Sequence, residues 1–115
     1  MKEDTLYLIH IGECIARIEQ YVAGDREALM RSTLIQDAVL RNLQTIGKSV
    51  GRFSSALRDA YPEVNWRAII GLRHVLVHDY LGMNLERIWA IVEHDVPDLK
   101  RQVEALLQAF SDSPS

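Results

Sequence analysis

The stretch Thr33–Leu57, TLIQDAVLRNLQTIGKSVGRFSSAL, decides the fold. Ile35, Val39, Leu43, Ile46, Val50, Phe53 and Leu57 step through it by three and four, the period of one apolar stripe on an α-helix. Thr33 and Gln36 have the spacing of a capping box at its start. Gly47 and Gly51 interrupt it four residues apart. In a soluble helix each glycine costs about 1 kcal/mol relative to alanine. Two readings explain that cost: close backbone approach by a neighbouring helix, or local flexibility.

The same period extends outward in both directions. Leu8, Ile11, Ile15, Ile18 and Val22 mark a first helix, with Asp4 as its expected cap. Gly24 and Asp25 end it and start a short segment, DREALMRS. Tyr61-Pro62 must close the second long helix, because proline disfavours helical geometry in the residue before it. Asn65 caps a third helix, WRAIIGLRHVLVHDYLG, whose buried stripe is Trp66, Ile69, Ile70, Val77 and Leu81. Gly82-Met83-Asn84 reads as a turn with Asn84 as the next cap. The last helix carries Leu85, Ile88, Val92, Leu99, Val103, Leu106 and Phe110, and Pro97 should kink it. There is no alternating strand pattern. The expectation is an all-α, antiparallel up-and-down bundle of four long helices plus a short one. Residues 1–110 would form one domain and 111–115 a frayed polar tail.

Composition agrees with a globular domain. The 115 residues are 48% hydrophobic and 25% charged, enough to bury a core without metals or disulfides. The lone cysteine, Cys14, lies among Ile11, Ile15 and Ile18 and reads as a small buried apolar residue. A net charge of −3 does not announce a nucleic-acid binder, although the cations are ten arginines against three lysines. Arginine favours planar contact with phosphate or carboxylate. No run reaches the roughly 20 apolar residues of a membrane span, and the N-terminus has no cleavage signal. The expected location is cytoplasmic, away from any membrane.

The chemistry concentrates in Gly71–Tyr80, GLRHVLVHDY. On an ideal helix Arg73 and His78, five residues apart, are separated by about 140° and about 7.5 Å. They do not converge on one face unless the arginine reaches round, the helix end distorts, or a second copy completes the site. His74 and His78 have the i, i+4 spacing of zinc-helix histidines. Val75 stands where such helices carry glutamate, and no third ligand is placed nearby, so no metal site is expected. The structural alternative is that Arg73 pairs with a carboxylate while His78 satisfies a helix end.

Arg73, four residues, His78, one residue and Tyr80 reproduce the R-x4-H-x-Y motif of HepT-like proteins, a subgroup of the HEPN superfamily. Most of the chain resembles that family. LIHIGECIARIEQYV is similar to its first helix and QDAVLRNLQTIGKSV to its second. YPEVNWRAIIGLRHVLVHDYLGMNLERIWAIVEHDVPDLKRQV is similar to its C-terminal half. This chain departs from the pattern at Lys48, where many relatives carry glutamate, and at His74, where many carry asparagine.

The resemblance implies a HEPN-like homodimer in which two motifs face each other across a cleft. It implies a metal-independent endoribonuclease needing no cofactor, the toxin of a type VII-like toxin–antitoxin pair. Its substrate would be RNA, with no DNA target expected. Its partner would be an MntA-like nucleotidyltransferase that silences it by transferring AMP to Tyr80. Arg73 and His78 would be catalytic, and Arg41, Asn42, His74 and Asp79 would line the cleft. Arg52 and Arg67 either extend a phosphate path or belong to a solvated face. The competing reading is a non-catalytic nucleotide-binding module partnered with a nucleotidyltransferase. A third is a purely structural helical adaptor.

The chemistry suits these residues. RNA carries its own nucleophile, the 2′-hydroxyl, so cleavage needs a base, an acid and a stabiliser for the charged phosphorane. Histidine titrates near neutrality and serves as base or acid. Arginine holds phosphate and stabilises charge developing on its oxygens. A two-fold dimer supplies His78 twice, which fills both proton-transfer roles and removes the 140° difficulty.

Overall fold

A computed structural model describes residues 2–74 and 84–112 of the chain, with no strand among them. α1 (Lys2–Val22), α3 (Thr33–Val50) and α7 (Val96–Asp112) are the long helices around which the core forms. Shorter α2 (Arg26–Arg31), α4 (Ser55–Ala60), α5 (Trp66–Ile70) and α6 (Leu85–Ala90) connect and flank them. α1 packs mainly on α3 and on α7. Asp4, at the start of α1, bonds Ser54, just past the end of α3, and Glu19 pairs with Lys100 near the start of α7. Both pairings make α1 antiparallel to its neighbours. The all-α bundle expected from the sequence is the one observed.

The predicted stripes are the core. Leu8, Ile11, Ile15 and Ile18 of α1 meet Val39, Leu43, Ile46 and Val50 of α3, and Ile88, Leu99, Val103 and Leu106 close the other side. Cys14 is buried as expected, and burial pushes its thiol pKa up, with Arg17 nearby working weakly the other way.

Several boundaries differ from the sequence expectation. Ser32, not Thr33, caps α3, because its hydroxyl accepts the Ile35 N–H at 3.1 Å. Gln36 is not a capping-box partner and instead donates to the carbonyls of Leu29 and Met30. The second stripe is not one helix. α3 stops at Val50, and Ser54 starts α4 by accepting the Leu57 N–H. Phe53 and Leu57 stay buried because the intervening turn keeps them facing the core.

Asp4 does not cap α1. It lies inside the first turn, 3% exposed, and accepts from the Ser54 backbone N–H at 2.9 Å and the Ser54 hydroxyl at 2.7 Å. The same serine hydroxyl accepts from Leu57, so one carboxylate orders the start of α4.

Other signals hold. Ala23 and Gly24 adopt positive φ (47° and 71°) at the end of α1, and Asp25 caps α2 through the Glu27 N–H. α4 ends at Ala60, before Tyr61-Pro62, and Asn65 and Asn84 cap α5 and α6. The predicted Gly82-Met83 turn lies outside the described residues. The break expected at Pro97 takes the form of a π turn over Ile91–Asp95, immediately before α7. Proline has no N–H for the helical ladder, and a widened turn accommodates that loss. α7 reaches Asp112, and residues 113–115 of the expected tail lie outside the described residues.

Asp4→Ala would remove the buried carboxylate that accepts from both the Ser54 N–H and the Ser54 hydroxyl, a loss of about 1.5–3 kcal/mol. The urea midpoint of this variant should fall accordingly, while Glu3→Ala, at an exposed position of the same turn, should leave it close to wild type.

Candidate functional site

The segment that carries Arg73 is fixed at both ends. At its start, the Trp66 indole N–H is shared between the carbonyls of Tyr61 (3.0 Å) and Arg58 (3.2 Å). The Trp66 ring meets Phe53 edge-on at 5.6 Å. At its end, α5 tightens into a 3-10 turn, Gly71–Arg73, whose Leu72 is buried in the core. Within the described part of the predicted helix from residue 66 to about 79, the chain is α-helical over Trp66–Ile70 and 3-10 over Gly71–Arg73, and residues 75–79 lie outside the described residues. Trp66, Ile69 and Ile70 are half-buried at its margin, and Val77 and Leu81 lie outside the described residues.

That turn rests on Gly47. A Cβ at Gly47 would sit 2.6 Å from the Arg73 backbone nitrogen, 3.1 Å from Arg73 Cβ and 3.1 Å from the Ile70 carbonyl oxygen. Of the two readings of the glycine pair, close backbone approach is correct at Gly47. Gly51 has a different role. It follows the last residue of α3 in ordinary right-handed geometry, with φ −62°. A Cβ there would be 3.5 Å from Arg73 Nη1, which is ordinary contact. Gly47 thus seats the Arg73 backbone, and the guanidinium runs past Gly51 at the C-terminal end of α3.

The guanidinium is exposed, and no carboxylate pairs with it among the described residues. Its polar contact is Arg73 Nε donating to His74 Nε2 at 3.0 Å. This bond needs the His74 imidazole to carry its proton on Nδ1. The partial negative charge at the end of α3 favours a cation there.

The remaining sequence candidates separate. Arg41 and Lys48 are exposed on α3, and Arg52 is exposed just beyond it. Asn42 is buried and donates to the Ala38 carbonyl at 2.8 Å, held within its own helix. Arg67 is exposed on α5. His78, Asp79 and Tyr80 lie outside the described residues. Among the described residues no three His, Cys, Asp or Glu side chains gather as a cation cage. No described helix is long and apolar enough to cross a membrane. The sequence reading did not anticipate the Ile70 carbonyl and the 3-10 turn as parts of the site. The four-residue glycine spacing is the signal that points to them.

Gly47→Ala should gain helix propensity but lose more by overpacking, for a net destabilisation of about 1–2 kcal/mol. Gly51→Ala should change stability by no more than about 0.5 kcal/mol. Chemical denaturation of the two variants checks the contrast, and equal midpoints would remove the special status of Gly47.

Comparison with known proteins fits this arrangement. The model of the family described as "Ribonuclease HepT-like" matches residues 11–106. A relative named as a candidate RNase, from Caldanaerobacter subterraneus, is 33% identical over 94% of this chain and 97% of its own length. The "Probable ribonuclease HepT" of Thermococcus cleftensis is 33% identical over 87% of this chain and 92% of its own. The "mRNA nuclease HepT" of Shewanella oneidensis is 27% identical over 84% and 90%. A longer relative from Methanocaldococcus jannaschii, named for a gamma-glutamylcyclotransferase and a candidate RNase, is 31% identical over 93% of this chain, which spans only 49% of that protein. No solved structure gives a significant match. With the family match spanning residues 11–106, the chain belongs to the ribonuclease HepT-like family of HEPN proteins.

Proposed function

We propose that this protein is an endoribonuclease of the toxin type, cleaving RNA without a metal at a cleft between two copies of the chain. The observation that carries this reading is Arg73: an exposed guanidinium, anchored through its backbone on Gly47 and unpaired with any carboxylate among the described residues. A cation held in this way is ready for an anion. The family match and the relatives named for ribonucleases and an mRNA nuclease support RNA as the source of that anion.

In this reading Arg73 binds the scissile phosphate and stabilises the charge that builds on its non-bridging oxygens. One His78 takes the proton from the 2′-hydroxyl as O2′ attacks phosphorus. The P–O5′ bond breaks, the partner's His78 protonates O5′, and a 2′,3′-cyclic phosphate remains. Asp79 orients the imidazole. His74 tethers the Arg73 side chain and takes no part in proton transfer. The protein works in the cytoplasm, where RNA is met.

Regulation falls to Tyr80, two residues from His78. A partner nucleotidyltransferase antitoxin transfers AMP from ATP to its phenol oxygen, breaking the α–β phosphoanhydride bond and releasing pyrophosphate, which places negative charge and bulk where RNA phosphate must sit.

Arg73→Ala and His78→Ala should each lower RNA cleavage by about 100-fold or more while leaving the helical content intact. EDTA should leave the wild type active. Full cleavage by purified His78→Ala would contradict the assignment. Absent cleavage by the wild type, with nucleotide binding that depends on Arg73, would replace the enzyme with a binding module.

Co-expression with a partner nucleotidyltransferase should raise the intact mass by one or more AMP units and abolish cleavage. Tyr80→Phe should show no increment, and an increment that persists would move the acceptor elsewhere.

A further inference from the structure

We infer that Arg41, Lys48 and Arg52 form a cationic stripe along α3 that holds single-stranded RNA on one side of the Arg73 site. This rests on the ribonuclease reading for the identity of the anion, and on charge and geometry for the stripe itself.

The chain's charge is divided unevenly. Residues 41–74 carry six Lys or Arg and two Asp or Glu, whereas the rest of the chain carries seven and fourteen. An overall charge of −3 therefore conceals a positive middle third. The geometry sharpens this. Arg41 and Lys48 are seven residues apart on one helix, within about 20° of each other and about 10.5 Å along the axis. Arg52 follows Lys48 in the turn that closes α3, where its N–H bonds the Ser49 carbonyl at 3.1 Å. All three side chains are exposed. The Lys48 carbonyl oxygen and Arg73 Nη1 lie 3.4 and 3.5 Å from one point, the position of a Cβ on Gly51. The backbone of Lys48 thus lies close to the Arg73 guanidinium, at the end of α3 where the stripe stops.

Pairing separates these cations from four others in the described structure. Arg26 meets Glu86, Arg31 meets Glu27, Lys100 meets Glu19 and Arg101 meets Asp98. None of Arg41, Lys48, Arg52 and Arg73 has an acidic partner among the described residues. In an acidic protein, leaving four neighbouring cations without carboxylates costs like-charge repulsion, which the end of α3 only partly offsets. A polyanion laid across them releases counterions and removes that repulsion.

The test is binding rather than cleavage. The 115-residue protein is titrated with fluorescent 2′-O-methyl RNA, which lacks the nucleophile, across a range of salt concentrations. Each lost phosphate contact should reduce the slope of log K against log salt by about 0.7. The triple variant Arg41→Gln, Lys48→Gln, Arg52→Gln should therefore lose about 2 from the slope. Arg26→Gln and Arg101→Gln, which remove paired cations, should leave it unchanged. Circular dichroism confirms that each variant folds, which exposed positions favour. A reduced slope in the triple variant supports the stripe whether or not the wild type cleaves RNA, so failure of the catalytic reading is scored separately. An unchanged slope, or no binding of RNA by the wild type, overturns the stripe as an RNA path, and an acidic protein surface would then be its partner.

Discussion

The approach of the Arg73 backbone to Gly47 is the constraint on which the described part of the site depends. A side chain at Gly47 would occupy the space of the Arg73 amide. Without one, the 3-10 turn settles onto α3 and buries Leu72 while leaving the guanidinium outside. The same segment is pinned upstream by the Trp66 indole on two carbonyls and by its edge contact with Phe53. Two anchors of different chemistry, one steric and one hydrogen-bonded, thus fix where a single arginine stands.

Local electrostatics then decide what that arginine is available for. Arg26, Arg31, Lys100 and Arg101 are each neutralised by a nearby carboxylate, whereas Arg41, Lys48, Arg52 and Arg73 around α3 have no such partner among the described residues. Arg73 keeps only a neighbouring imidazole as its acceptor. Together with its exposure, this leaves a guanidinium suited to phosphate. The catalytic proposal combines that local fact with membership of the HepT-like family.

Much of this was legible in the sequence. The three-and-four spacing identified the core of α1, α3 and α7, because burial in a bundle follows helical phase directly. It did not locate the break after Val50, because Phe53 and Leu57 remain in phase across a turn that is not helical. Caps were readable where the side chain had one partner, as at Asn65 and Asn84. They failed where a distant backbone group competed, as at Asp4, whose partner is fifty residues away. The glycine pair was only half readable. Equal spacing suggested equal roles, yet one glycine is a steric seat and the other ends a helix. The cationic stripe was hidden in a net charge that averages opposite regions. The roles of His78, Asp79 and Tyr80 rest on motif and family, since these residues lie outside the described structure.

The central claim is that Gly47 makes the site by seating Arg73, and RNA cleavage by Gly47→Ala tests it most directly. Cleavage is compared with that of Gly51→Ala at a temperature where both variants are folded by circular dichroism. Gly47→Ala should lose most of its cleavage while Gly51→Ala retains it. Wild-type cleavage by a folded Gly47→Ala protein would show that Gly47 does not seat the working arginine.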